Sequence, residues 1–218
     1  MDIALVIQSI PSLLEGALVS LQIAIASCVF GLSFGTLLGI AYTSRKQWIR
    51  IPLACYVAVF RGTPMLVQIM FMYYVLPQAG IQISAEWSAI LAIGCNSSAY
   101  ISQIVRSGMN SVSIGQWEAA KVLGLTTWQT LCRIVLPQAF RVSLPSFGNE
   151  FITLVKDSSL ASIIGVMELS KEGSVIRSRT YDAFTILILV SCIYLIMTLV
   201  LSLIVKILEK KSAKYVRT

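Results

Sequence analysis

Four windows of this chain, near residues 17–42, 62–80, 87–105 and 183–205, contain no charged residue at all. Each is long enough for a helix to cross the roughly 30 Å of hydrocarbon in a bilayer, which takes about 20 apolar residues. A helix lying on a membrane surface would carry one charged face, so charge-free stretches of this length favour spanning over peripheral attachment. A fifth stretch, 136–156, is apolar but interrupted by Arg141, Glu150 and Lys156. Charges inside a span usually face other helices rather than lipid, and this stretch is read as a crossing too. The expectation is an all-α integral membrane protein of five transmembrane helices, near 15–42, 52–80, 86–106, 134–156 and 183–207, with an inner loop over 107–133. No second domain, repeat or low-complexity linker is visible, and residues 1–218 form one transmembrane domain.

Composition agrees. Hydrophobic residues make up 56% of the chain, charged residues 12%, and mean hydropathy is +0.81, whereas a soluble domain is roughly a quarter charged. The net charge of +7 would suggest nucleic acid in a soluble protein, but here its distribution gives sidedness, because Lys and Arg accumulate on the cytoplasmic side of a membrane protein. Twelve of the seventeen cations fall on one side: Arg45, Lys46 and Arg50; Arg106, Lys121, Arg133 and Arg141; and Lys206, Lys210, Lys211, Lys214 and Arg217. Lys156, Lys171, Arg177 and Arg179 fall on the other, and Arg61 lies within a span. The N-terminus is expected outside and the C-terminus in the cytoplasm, with no nucleic-acid partner. No basic region precedes the first apolar run, only Asp2 and Glu15, and Gly16–Ser44 is too long for a signal peptide, so it stays as a helix. The chain has no histidine, which removes the usual imidazole base and the commonest transition-metal ligand. Its five cysteines are scattered, never in CxxC spacing, and read as small apolar packing residues.

Residues 116–137, QWEAAKVLGLTTWQTLCRIVLP, break the oily pattern. Gln116–Leu123 are good helix formers, Glu118 is expected in the first turn where it complements the helix dipole, and Gly124 stands as a stop. Pro137 marks where the chain returns to the membrane. On chemistry alone this is a cytoplasmic helix that either receives a partner or merely connects two spans.

The stretch resembles a known pattern: Glu118-Ala119-Ala120, three residues, Gly124, nine residues, Ile134, one residue, Leu136-Pro137. It is similar to the EAA loop of permease subunits of binding-protein-dependent ABC importers. Phe60-Arg61-Gly62-Thr63-Pro64 with Gln68, Ala99-Tyr100, Arg106, Gly115-Gln116 and Lys156-Asp157-Ser158-Ser159-Leu160 resemble the polar amino-acid uptake subfamily. The resemblance implies a type I ABC importer permease fold in a bacterial cytoplasmic (inner) membrane, with a coupling helix between helices 3 and 4. Glu118, Ala119, Ala120 and Gly124 would dock it onto a cytoplasmic ABC ATPase subunit. The chain has no G-x-x-x-x-G-K-[ST] phosphate loop, so ATP and Mg belong to that subunit and this chain binds no cofactor of its own. The resemblance further implies a second permease subunit, identical or related, and an extracytoplasmic solute-binding protein.

The substrate pathway is expected where a span is interrupted. Pro64 lacks an N–H and disrupts the helix near Phe60, releasing backbone groups that protein or a wet cavity must satisfy. Residue 63 is midway between Arg50 and Pro77, roughly 20 Å from each at 1.5 Å per residue, hence near the midplane. Transporters build substrate sites at such breaks, which makes Arg61, Gly62, Thr63, Pro64 and Gln68 candidates. Glu150 reaches a similar depth, and Asp157, seven residues on, falls on the same face about 10 Å away if the helix persists. Glu150 is satisfied either permanently by Arg61 or transiently, with Asp157, by a cationic solute; Asp157 could also pair with Lys156 or cap an end. Ser158 adjoins them. Asn96, Tyr100 and Gln103 form one polar stripe, which either glues helices or lines the path. Gln103 stands where the family often has an acid, which weakens the case for cations.

These readings point to an ATP-driven importer of polar amino acids, cationic ones (arginine, lysine or histidine) ahead of glutamine. An ion-coupled secondary transporter is the competing class.

Overall fold

The computed structural model describes residues 3–44 and 46–214; Asp2 lies outside them, as do Arg45 and Arg217 of the cation count and the side chains of Lys211 and Lys214. Among the described residues every regular element is helical. The first, α1 (Ile3–Ala41), begins well before residue 15, because Glu15 is exposed and a single charge on a free face does not end a helix. α1 packs along α4 (Ala85–Ser111). Gly31, Gly35 and Gly39 recur every four residues on the contact face, where a Cβ on Gly35 would stand 2.6 Å from the Ser98 carbonyl oxygen. Lipid is as apolar as leucine, so helices associate in a bilayer by such close approach rather than by hydrophobic burial.

The second expected span is a bent pair. α2 (Gln47–Gly62) and α3 (Met65–Met70), which continues through a π turn and a 3₁₀ turn to Ala79, meet at 106°. Thr63 and Pro64 between them are extended, with φ/ψ of −115°/146° and −62°/136°. Proline disfavours a helical conformation at the residue before it, and Thr63, just before Pro64, takes the extended conformation where α2 ends.

After α4 come α5 (Ile114–Val122) and α6 (Thr127–Thr130), which runs through a π turn over Leu131–Val135 into α7 (Leu136–Asp157), with Pro137 at its start as expected. A 3₁₀ segment, Ser158–Ile164, leads to α8 (Leu169–Thr180) and α9 (Ala183–Lys214). Among the described residues three helices are long and apolar enough to cross a membrane alone, over Ala4–Ala41, Ala85–Ser111 and Ala183–Lys210, and the bent pair makes a fourth. α7 is long enough but too polar to join them on composition.

α7 and α8 share the length of α9 between them. Gly148 of α7 presses on Val205, and Leu154 clusters with Met197 and Leu201. Farther up, Gly173 of α8 presses on Val190, and Leu169 packs with Ile186 and with Leu13 and Ala17 of α1. The stretch between the fourth and fifth expected spans, whose Lys171, Arg177 and Arg179 suggested an outer connection, is therefore largely a packed helix. Cysteine packing also needs correction, since Cys55 and Cys192 are exposed.

Candidate functional site

The bend at Pro64 frees the carbonyls at the end of α2, and amide side chains take them. Gln68 Nε2 donates to the Phe60 carbonyl at 2.9 Å, to the Thr63 carbonyl at 3.1 Å and to Thr63 Oγ1 at 2.8 Å. Asn96 Nδ2 donates to the same Phe60 carbonyl at 2.7 Å and to Gln68 Oε1 at 3.0 Å, while Thr63 Oγ1 donates to the Val59 carbonyl at 2.8 Å. Gln68 and Asn96 are buried. Their polar groups hold the break together, so the released Phe60 and Thr63 carbonyls are satisfied by protein rather than left open to a solute. Arg61, Gly62, Thr63 and Pro64 are exposed on the other side of the bend.

Arg61 does not pair with Glu150. Its guanidinium lies over the Tyr100 ring, 4.9 Å from the centroid, a stack that matches a planar cation to the negative face of the ring. The half-buried Glu150 instead accepts a hydrogen bond at Oε1 from the fully buried Ser97 Oγ at 2.8 Å. α7 does remain helical to Asp157, so seven residues return Glu150 and Asp157 to one face as expected. Ser158 is fully buried and donates to the Val155 carbonyl at 2.8 Å, supporting the end of α7.

Arg61, Tyr100 and Gln103 come together in a groove of about 380 Å³ between α2, α4 and α7, with Ser107, Ser143 and Ser146 among its walls. Arg61 is the one charged residue in its lining. The serines escaped the sequence reading, although Gln103, Ser107 and Ser111 recur every four residues on α4, a period that puts them on one face. The polar stripe Asn96-Tyr100-Gln103 thus divides. Asn96 binds the break, and the other two face the groove.

The stretch expected to dock a partner includes α5, and its ends are built tightly. Gly124 has φ +73°; Leu125 N–H donates to the Ala120 carbonyl and Gly124 N–H to the Lys121 carbonyl, both at 3.0 Å. This crossed pair closes a helix through a left-handed residue, which favours glycine. Thr126 Oγ1 then accepts from Gln129 N–H at 3.2 Å while Thr126 N–H donates to Gln129 Oε1 at 2.9 Å, a reciprocal cap that starts the next helix. Because α5 starts at Ile114, Glu118 lies in its second turn, not its first, and does not serve the helix dipole. Glu118 and Ala119 are exposed, and Ala120 is fully buried. Ile114, Val122, Leu123 and Trp128 present exposed apolar surface beside them. A cavity of about 620 Å³, lined by Trp117, Lys121, Met109 and Thr130 among others, separates α5 from the ends of α1 and α4.

Glu168 was not picked out from the sequence. It is fully buried and caps α8. Oε1 accepts from Lys171 N–H at 2.8 Å, and Oε2 accepts from Ser170 N–H at 3.0 Å, Ser20 Oγ at 3.1 Å and Tyr194 OH at 2.8 Å. One carboxylate thereby ties α1, α8 and α9. Its partners are 148 and 26 residues away in the chain, and no local motif announces them.

Comparison with known proteins extends over nearly the whole chain. Residues 31–214 match the family described as binding-protein-dependent transport system inner membrane component. An arginine transport system permease protein of Bacillus subtilis is 37% identical over 97% of both chains. A putative glutamine transport system permease protein of Rickettsia conorii is 36% identical over 91% of this chain and 92% of its own. Among solved structures, an amino acid ABC transporter crystallised with histidines superposes with a TM-score of 0.90 at 33% identity, covering 97% of this chain and 99% of that one.

Proposed function

The chain belongs to the family of inner-membrane components of binding-protein-dependent transport systems, its relatives being amino-acid ABC permeases, and from that premise we propose that it forms the translocation path for a polar amino acid and is driven through α5 by a separate ATPase. The observation that carries the coupling role is the construction of α5: a short helix closed at Gly124, followed by a recapped helix start at Thr126, with Ile114, Val122 and Leu123 exposed beside Glu118. A helix that merely connected two spans would need neither closure nor an exposed Ile114, Val122 and Leu123. ATP and Mg are assigned to the partner, because the chain has no phosphate loop. The arrangement is five crossings, N-terminus outside, acting as a pair of permease subunits with a solute-binding protein at the outer face.

For the solute, two readings each rest on an observation. Glu150 and Asp157, on one face of α7 and without an arginine partner at Glu150, favour a cationic amino acid. The groove at Arg61, Tyr100 and Gln103 contains an amide and serines and no carboxylate, which favours a neutral side chain such as that of glutamine, with Arg61 available to the solute carboxylate. Uptake into proteoliposomes containing the permease, its ATPase and its binding protein, competed by a panel of amino acids, separates them. Competition by arginine and lysine alone supports the first, competition by glutamine alone the second, and uptake that persists without ATP and follows a proton or sodium gradient defeats the importer reading.

A further inference from the structure

We infer that the outer end of the α8–α9 hairpin is a binding site for an anionic phospholipid, held by Arg177 and Arg179 at the mouths of two grooves flanking α8. The apolar part of α9 runs over Ala183–Lys210, about 42 Å at 1.5 Å per residue, which matches a bilayer together with its headgroup layers. Ala183 therefore lies at headgroup level. α8 lies alongside the adjoining half of α9 and returns toward that level. Its first turn meets Tyr194, with Ser170 Oγ and Tyr194 OH 3.3 Å apart, and its last precedes Ala183 directly. Arg177 and Arg179 occupy that last turn.

Both arginines are exposed, and neither makes an ion pair among the described residues. Each lines a groove beside α8. Arg179 stands with Leu5 and Ile176 and with the polar Gln8, Ser9, Ser12 and Thr180 around a space of about 300 Å³ between α1 and α8. Arg177 stands with Leu187 and Val190 around one of about 120 Å³ between α8 and α9. Beyond the second, Phe184 and Leu187 continue outward at 70% and 51% exposure, and Tyr181, at the turn, is 92% exposed. Tyrosine at the edge of an apolar span marks the headgroup boundary. Unpaired guanidinium at headgroup level, with the apolar surface of Leu187, Val190 and Phe184 beside it, complements a phosphodiester with its acyl chains beneath. Arginine suits that acceptor because its planar fork binds two phosphate oxygens at once. These cations also run against the charge distribution that orients the rest of the chain, so topology does not account for them.

The test uses the assembled transporter with its ATPase, without binding protein, in nanodiscs of phosphatidylcholine with rising phosphatidylglycerol. Retained lipid is read by native mass spectrometry after transfer to detergent. At about a fivefold contribution per arginine near an anionic surface, Arg177→Gln with Arg179→Gln should weaken phosphatidylglycerol retention roughly thirtyfold and leave phosphatidylcholine unchanged. The double lysine variant, which keeps the charge, should stay within a few-fold of wild type. Equal retention by the glutamine variant overturns the proposal, and so does displacement of the lipid by millimolar inorganic phosphate, which would make the site one for free anions. A loss of binding-protein affinity in the glutamine variant with lipid retention intact would reassign the surface to that protein and likewise overturn it.

Discussion

At the scale of single residues, the Phe60 carbonyl shows what a broken helix costs inside a membrane. Two amide donors, from Gln68 and Asn96, converge on it and satisfy from within the protein a group that lipid cannot. Gln68→Leu and Asn96→Leu are each expected to lower the stability of the purified complex by about 1–2 kcal/mol, less than the bare desolvation of a carbonyl because the other donor remains. Thermal unfolding monitored by size exclusion checks this, and an unchanged midpoint in both would mean that the bend is held by Pro64 alone. Glu150→Gln tests the solute question at one atom. The amide oxygen can still accept from Ser97 Oγ, so assembly should be kept while any preference for cationic over neutral amino acids falls. If cationic preference is untouched, Glu150 is a structural partner of Ser97 and the Arg61 groove carries selectivity. Proline at the break was legible in the sequence because its chemistry is local. The amides that repair it were legible only as polar residues in apolar spans, since their partner is a backbone atom up to 36 residues away.

At the scale of elements, α5 and α8 behaved oppositely under sequence reading, for one reason. α5 carries a dense local code of helix formers closed by a glycine, so its existence and its end were readable and only its start moved. α8 has three cations and little apolar character, and such a segment passes for a solvated connection until Leu169 and Gly173 are seen packed under α1 and α9. Glu168 makes that packing possible by accepting four donors at the start of the helix. Glu168→Gln replaces one acceptor oxygen by an NH₂ that faces donors, and should cost about 2–3 kcal/mol, the range for charge-assisted hydrogen bonds. A melting midpoint unchanged by Glu168→Gln would show that the four bonds are individually dispensable. For α5, an added Cβ at Gly124 meets nothing within 4 Å, so the penalty of Gly124→Ala is its φ of +73° alone, about 1–2 kcal/mol. The permease should fold as before, while its affinity for the ATPase drops roughly five- to thirtyfold. Titration of ATPase binding in nanodiscs reads this directly, and wild-type affinity would remove Gly124 from the coupling surface.

On the scale of the whole molecule, two kinds of glycine separate packing from path. Gly31, Gly35 and Gly39 let α1 and α4 touch along the longest seam in the bundle, whereas Gly62, at the bend, faces open space with nothing within 4 Å of an added Cβ. In a soluble protein the α1–α4 seam would be supported by burial of apolar area. In lipid it depends on fit, because separated helices lose van der Waals contact and gain no water-exposed surface. A methyl group at position 35 pushes against the Ser98 carbonyl, which belongs to helix backbone and cannot swing aside. Gly35→Ala should therefore destabilise the permease by about 1–3 kcal/mol. Gly62→Ala should be neutral or slightly stabilising, since a helical glycine costs about 0.5–1 kcal/mol relative to alanine. The two changes are chemically identical, so fluorescence-detected melting of both variants isolates the packing contribution. Equal midpoints would mean that the seam tolerates a methyl group and that α1 is held by Glu168 and Ser20 instead. If Gly62→Ala keeps the midpoint and the pairing of permease subunits but slows uptake, the surface beside Arg61 is part of the solute path, because a methyl group that disturbs neither packing nor pairing is left to meet the passing solute.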